Sequence, residues 1–354
     1  MSLLDKIKNN STIKNSAILS ISKFFTQKDM IPTSIPMINV ALSGKLNGGF
    51  TPGITMFAGP SKHFKTAFSL LMAKSYLEKY PESVIIFYDS EFGTPQSYFD
   101  TFEIDTDRVL HTPLTNIEEL KFDIMKQLEG IERNERVMII IDSIGNLASK
   151  KEVEDALDGK SVADMSRAKQ VKSLFRMVTP HLNLKDIPMV VVNHTYKEIG
   201  MFPKDIVGGG TGSYYSADNI FIIGRQQEKE GTEIVGYNFI INVEKSRNVR
   251  EKSKIPVCVL FEGGISKWSG LLENALESGH VIKPTNGWYS KVDKNTGEIG
   301  TKKRLSDTMS EEFWSDILLK EDFNEFVRKK YEIAYGNIMG DIMGENDVLE
   351  SEKA

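Results

Sequence analysis

Apolar positions along this chain follow two rhythms, and the change between them falls near residue 50. Before it they are sparse and spaced: Ile13, Ala17, Ile18, Ile21, Phe24 and Phe25 stand in a polar stretch rich in Ser, Asn and Lys. That spacing predicts an amphipathic helix, which must bury its stripe in the chain's own core or on another copy. Pro32, Pro36 and the Gly48-Gly49 pair then predict a linker. From Ile54 the rhythm becomes one of short, continuous apolar runs: ITMFA, VIIFYD, VMIIID, IPMVVVNH and NIFIIG. Each reads as a strand buried on both faces. Helical patterns at 65–80, 96–102, 117–132 and 164–179 lie between the first four. Strands alternating with helices predict an α/β fold with a mostly parallel central sheet. YNFIINVEK and IPVCVLFEGG follow without intervening helices, so the far edge is expected to turn antiparallel. Past Gly270 the chain turns helical and polar, with FWSDI and EFVRKKYEIAY as packing segments of a small C-terminal domain.

Length and composition narrow the class. At 354 residues the chain can bury a large core and hold more than one domain. No apolar run approaches the ~20 residues of a membrane-spanning helix, and MSLLDKIKNN lacks the apolar stretch of a secretion signal. An intracellular, cytoplasmic protein is expected, with no membrane partner. The single cysteine, Cys258, excludes an internal disulfide and a multi-cysteine metal site and reads as a buried apolar residue. Net charge is −5 but segregated: residues 244–254 carry five basic against two acidic residues, residues 340–354 five carboxylates against one lysine. The acidic tail is expected to be disordered.

One stretch carries chemistry. In AGPSKHFKTAF, residues 58–68, Gly59, Lys65 and Thr66 fall where a phosphate-binding loop needs them, between a strand and a helix. Backbone N–H groups of Pro60-Ser61-Lys62-His63-Phe64-Lys65 (all but the proline's) would surround phosphate oxygens. Lys65 would reach the β- and γ-phosphates, and the Thr66 hydroxyl would bind Mg²⁺. Phe64 stands where the motif has glycine; with φ below zero its side chain would point away from the phosphates. Two more buried strands end in acids. Asp142 stands where a P-loop ATPase holds Mg²⁺ through water, or caps a helix; Glu91 is a general base for the attacking water, or a solvated loop acid. Together, in this order, they point to ATP hydrolysis in the crevice at the strand ends. The next strand ends in Asn193-His194. His194 is either a γ-phosphate sensor or a satisfied strand-end histidine. GGGTGSYYSAD, residues 208–218, reads as a mobile segment that orders on single-stranded DNA, or as a plain surface loop.

In this order the motifs resemble the RecA-type recombinases, most of all their phage, UvsX-like branch, over nearly the whole chain. FFTQKDMIPTSIPMINVALSG, AGPSKHFKT, FYDSEFG, IDSIGNLASKKEVEDAL, NHTYKE, GGGTGSYYSAD, NVEKSRNVREKSK and NGWY carry the resemblance. The phage branch is similar in having a phenylalanine in its loop. The resemblance implies a RecA-like P-loop ATPase core at 31–270, an N-terminal helical polymerisation arm at 1–30 and a small C-terminal domain at 271–354. It implies ATP and Mg²⁺ at Lys65, Thr66 and Asp142, Glu91 as catalytic carboxylate and Tyr98 against adenine. His194 takes the sensor position, where bacterial relatives have glutamine. DNA-facing loops are implied near 149–164 and 197–212, with Lys150, Lys151, Lys160, Lys197, Lys204, Gly208, Gly209 and Gly210 on DNA. Lys245 and Arg247 match basic residues that reach the ATP of an adjacent subunit, and Phe24 or Phe25 would anchor on that neighbour. The function implied is a DNA-dependent ATPase that forms a head-to-tail helical filament on single-stranded DNA and pairs it with homologous duplex DNA. A recombination mediator and a single-strand-binding protein are implied partners. A hexameric helicase of the same core fold, or a non-hydrolysing mediator, is the alternative.

Overall fold

The computed structural model describes residues 2–22, 28–160, 166–198, 200 and 204–333. Its first helix, α1 (Leu3–Asn10), is not where the apolar spacing put one. A capping box starts it: Asp5 N–H donates to Ser2 Oγ and Ser2 N–H to Asp5 Oδ2, both at 3.1 Å. The helix expected over 13–25 is absent from residues 13–22, which hold turns and one 3₁₀ turn at Leu19–Ile21. Local hydroxyl bonds, Ser11 Oγ to Ser16 Oγ (2.6 Å) and Ile13 N–H to Ser11 Oγ (3.3 Å), compete with helix there. Phe24 and Phe25 lie outside the described residues.

The expected linker is likewise corrected. Pro36 opens α2 (Pro36–Ser43) at its first turn and Gly44, at φ 79, closes it. Met37, Ile38, Val40, Ala41 and Leu42 on this helix are buried, as are Ile31 and Phe50 beside it. Proline and glycine here start and stop a helix instead of breaking the fold.

The central sheet then unfolds in sequence. β1 (Gly53–Ala58) leads to α3 (Lys65–Lys79), β2 (Val84–Asp89), α4 (Gln96–Thr101), β3 (Val109–Pro113), α5 (Ile117–Gly130) and β4 (Val137–Asp142). After α6 (Lys150–Leu157) and α7 (Ser166–Lys185) come β5 (Pro188–Asn193), the small antiparallel pair β6 (Thr195–Lys197) and β7 (Asp205–Val207), and α8 (Thr211–Ser216). β8 (Asn219–Glu230), β9 (Glu233–Lys245), β10 (Lys254–Leu260) and β11 (Gly264–Ile265) complete a nine-stranded sheet ordered β11-β10-β9-β8-β1-β5-β4-β2-β3. The six strands from β8 to β3 in that order are parallel, and β8 to β11 run antiparallel. Alternate side chains feed two cores. Phe57, Phe87, Ile140 and Phe221 pack under α2 and α3, whereas Met56, Ile86, Ile141 and Ile220 pack under α5 and α7.

β3 was not foreseen, because it is an edge strand with Leu110 half exposed and a terminal proline. α7 outruns its expected end at 179, passing through Pro180 to Lys185, with Leu182 buried in the added turn.

Beyond the sheet come α9 (Leu271–Glu277), a three-stranded antiparallel sheet of β12 (Val281–Thr285), β13 (Trp288–Lys291) and β14 (Lys303–Arg304), then α10 (Glu311–Leu319) and α11 (Glu321–Tyr331). This part is therefore not purely helical. Phe313, Trp314 and Ile317 of α10 and Phe323, Val327 and Tyr331 of α11 are buried in one cluster with Met37 and Phe239. Arg250 N–H donates to Tyr331 O, and Ile333 N–H to Asn248 O, both at 2.8 Å, fastening α11 to the loop after β9. Among the described residues no helix is long and apolar enough to cross a membrane.

Candidate active site

The fully buried β1 delivers the chain to Gly59, then to a loop that turns into α3 at Lys65. Phe64 corrects the expectation made for it: its φ is +60 and ψ 17, the left-handed conformation glycine adopts freely. For a phenylalanine that conformation costs about 1–2 kcal/mol. Ring packing offsets it: Phe64 stacks on Phe239 at 4.8 Å between centroids and meets Phe68 edge-on at 5.5 Å. Each such pair is worth roughly 0.5–1.5 kcal/mol beyond its burial. The side chain does point away from the loop interior, but by packing into the core.

Lys65 is 6% exposed and its Nζ donates to Pro60 O at 2.7 Å. Burial pushes its ammonium pKa down, against the charges of Glu91 and Asp142. Thr66 Oγ1 donates to Asp142 Oδ2 at 2.7 Å. Asp142 is 2% exposed, and burial pushes its pKa up to about 6. Its other oxygen, Oδ1, is buried without a partner. An orphaned carboxylate oxygen beside a threonine hydroxyl suits a hard cation such as Mg²⁺. No group of three or more metal-ligating side chains occurs among the described residues, so such an ion would draw its remaining ligands from phosphate and water.

Glu91 stands across from this pair. The β2 strand places Asp89 in register with Asp142 of β4. Asp89 Oδ1 accepts the N–H groups of Glu91 (2.9 Å) and Phe92 (2.8 Å), and its Oδ2 lies 3.1 Å from His111 Nε2. The loop so fixed sets Glu91 Oε1 3.0 Å from His194 Nε2, which is also 3.4 Å from Ser143 Oγ. The bond to His194 lowers the Glu91 pKa, and burial opposes it. A carboxylate that is ionised and held by an imidazole is equipped to orient water. Tyr98, on α4, is half buried and meets Phe102 edge-on at 5.5 Å. Burial raises its phenol pKa, with the Asp142 charge adding to the effect.

His194 is tied to the segment that follows. Asn193 Oδ1 accepts His194 N–H and its Nδ2 donates to Gly208 O, both at 2.8 Å. Gly208 N–H donates to His194 O at 2.9 Å. A Cβ on Gly145 would fall 2.5 Å from His194 Cδ2, so only glycine leaves that ring in place. Residues 208–218, expected to be a mobile segment, here include the short helix α8. Gly209 (φ 89) and Gly210 (φ 73) turn the chain into α8, which packs on α7.

The DNA-assigned lysines are brought together less closely. Residues 150–157 form helix α6, not a loop. Lys150 pairs with Glu154 (4.0 Å), Lys151 with Asp155 (2.5 Å), Lys160 with Asp158 (2.8 Å) and Lys197 with Asp205 (2.8 Å). Lys204 is exposed at the mouth of the β6–β7 pair. Residues 161–165, 199 and 201–203 lie outside the described residues. Sequence reasoning missed a basic hollow of about 400 Å³ between α5 and α7, lined by Lys121, Lys169, Lys172 and Arg176. Its signal was legible: three cations at helical spacing on α7. Cys258 is half buried rather than buried, and desolvation raises its thiol pKa to about 11.

Lys245 and Arg247 lie elsewhere. Lys245 Nζ donates to the carbonyls of Tyr214 (2.7 Å) and Tyr215 (3.2 Å). Arg247 pairs with Asp218, whose Oδ2 accepts Ile54 N–H at 2.8 Å, at the amino end of β1. The phosphate loop begins at the other end of that strand.

A family model of the RecA N-terminal domain matches residues 4–266. The chain belongs to the RecA family. RecA-family relatives include Protein RecA of Bacteroides thetaiotaomicron, 26% identical over 77% of this chain and 80% of its own length. Protein RecA of Streptomyces rimosus is also 26% identical, over 76% and 70%. Similarity to the Recombination and repair protein of Enterobacteria phage T4 is much higher, 48% identity over 97% of this chain and 87% of that protein. Residues 268–327 match the model of that phage protein's C-terminal domain. The RecA-like core and the small C-terminal region thus each have their own counterpart.

Proposed function

We propose that this chain is a RecA-family recombinase acting in recombination and repair, and that it hydrolyses ATP in the crevice described above. One observation carries the site assignment: loop, Thr66–Asp142 pair and Glu91–His194 pair converge at the carboxyl ends of β1, β2, β4 and β5, where open α/β sheets bind ligands. Lys65 holds the β- and γ-phosphates, leaving its present bond to Pro60 O, and Tyr98 lies against the base. Thr66 and, through water, Asp142 would hold Mg²⁺, which when bound draws charge from the phosphate oxygens. Glu91 orients the attacking water and accepts its proton. His194 shares Glu91's bond and is tied to Gly208, so a change at the γ-phosphate has a route to the β6–β7 segment.

The same reading makes the protein a filament former on single-stranded DNA, with residues 1–30 as arm and the 31–270 core stacked head to tail. Lys150, Lys151, Lys160, Lys197, Lys204 and Gly208–Gly210 face the strand, and the basic hollow of α5 and α7 adds to that surface. Lys245 and Arg247 complete a neighbour's site. The alternatives, a ring helicase or a non-hydrolysing mediator, are not favoured, because nearly the whole chain aligns with a phage recombination and repair protein. The test is ATP consumption titrated with single-stranded DNA, followed by electron microscopy of the same sample. Turnover that rises with DNA alongside open filaments is expected. Closed rings alone, or no turnover, would refute the reading.

A further inference from the structure

Two non-glycine residues of the phosphate loop sit in the left-handed region, Lys62 at φ 61 and Phe64 at φ 60. Both are held from outside by one element, the β8–β9 hairpin, in which Arg225 pairs with Phe239 and Gln227 with Tyr237. Arg225 Nη1 donates to the Lys62 carbonyl at 3.3 Å. The same guanidinium lies 4.8 Å over the Tyr237 ring, which keeps it aimed. Phe239 stacks on Phe64 at 4.8 Å with the rings 17° apart, and Tyr237 backs Phe239 at 6.1 Å. Tyr237 in turn meets Phe261 at 5.6 Å.

We propose that the β8–β9 hairpin is a clamp that holds the phosphate loop in its nucleotide-ready curve, with Arg225 and Phe239 as positioning residues for nucleotide binding. The inference rests on the reading of the loop as a triphosphate site. A glycine at position 64 would take this backbone conformation unaided and give a neighbour nothing to grip. A phenylalanine takes it at a cost, which at position 64 the Phe239 ring offsets, so the loop's shape comes to depend on the hairpin. The hairpin is thereby in mechanical contact with the loop where Lys62 and Phe64 bend, on the opposite side of the loop from Glu91's strand in the sheet order. A clamp of this kind acts before chemistry: it alters how well nucleotide binds, not how fast bound nucleotide reacts.

The experiment compares the full-length protein with R225A, R225K, F239L, F64G and F64G/F239L. For each, kcat and KM for ATP, the Kd for Mg-ADP and the melting temperature are measured. R225A is expected to raise KM and Kd about five- to tenfold, as the loss of one charge-assisted hydrogen bond does, with kcat within about twofold. R225K should recover at least half of that loss, since an ammonium can donate to the same carbonyl. F239L should weaken Mg-ADP binding in the wild-type background and have much less effect when residue 64 is glycine. An unchanged Kd in R225A overturns the clamp, as does an equal effect of F239L with and without the ring at 64. A wild-type protein that neither binds Mg-ADP nor hydrolyses ATP would instead overturn the site reading beneath it.

Discussion

The two ends of the parallel strands are built differently. At the carboxyl ends, Lys65, Thr66 and Asp142 are buried or half buried and bonded to one another or to their own loop. At the amino end of β1, Lys245 and Arg247 rest on two carbonyls of α8 and the half-buried Asp218 carboxylate, with the Arg247 side chain 71% exposed. About 20 Å of strand separates the ends, by the rise per residue, far beyond a side chain's reach. Deep bonds organise a pocket in advance, whereas exposed pairs contribute little and part easily. The difference is the one expected if, as proposed, the pocket end receives nucleotide and the far end lends its cations to a neighbour.

The sharpest break of the fixed end is Lys65→Ala. Turnover should fall by at least about a thousandfold, the scale of losing a phosphate-clamping charge, while circular dichroism stays native. Undiminished turnover would remove the site from this crevice. Lys245→Ala with Arg247→Ala should lower DNA-stimulated turnover by about 10³-fold or more, the scale of a cation supplied in trans. Mg-ADP binding by isolated subunits should be unaffected; equal loss of that binding would place the cations in their own chain's site.

Asp142→Asn sharpens the contrast through pH. A carboxyl raised in the fold from 3.8 to about 6 adds stability below its unfolded pKa, and that contribution is lost as pH rises through about 6. The ionised, orphaned carboxylate thus strains the nucleotide-free protein at neutral pH. The variant should abolish turnover yet melt higher at pH 7.5, by up to about 3 kcal/mol of stability. The gain should vanish below about pH 4, where both side chains are neutral; a pH-independent gain would contradict the assignment. The smallest effect is expected of His194→Gln. An amide can still bond Glu91, so turnover should stay within about tenfold while the dependence on DNA weakens. Unaltered DNA dependence in both His194→Gln and His194→Ala would make His194 a structural residue only.

Much of this arrangement was legible before any coordinates. β1, β2, β4, β5 and β8 announced themselves because strands buried on both faces are continuous apolar runs, and the acids at their ends could be assigned to one crevice. β3 could not be read, since an edge strand with exposed Leu110 and His111 lacks that signature. The short, lysine-rich strands β12 to β14 were hidden for the same reason. Residues 13–22 misled because apolar spacing is silent about serine hydroxyls that bond locally. The 31–50 stretch misled because proline and glycine mark helix ends as well as linkers. At the site, Lys65, Thr66, Glu91 and Asp142 were chosen from type and position alone, and the structure brings them to one crevice. The left-handed Phe64 was not, because its ring partner Phe239 lies in a distant strand and no local pattern announces it.

The claim that one subunit's far end completes another's pocket is tested most directly by mixing two inactive variants. Lys65→Ala subunits retain the cations and Lys245→Ala/Arg247→Ala subunits retain the pocket. Combined in equal amounts on single-stranded DNA, they should recover ATP hydrolysis to about a quarter of the wild-type rate, the share of head-to-tail interfaces that pair an intact pocket with intact cations. A mixture as inactive as its separate components would contradict the account.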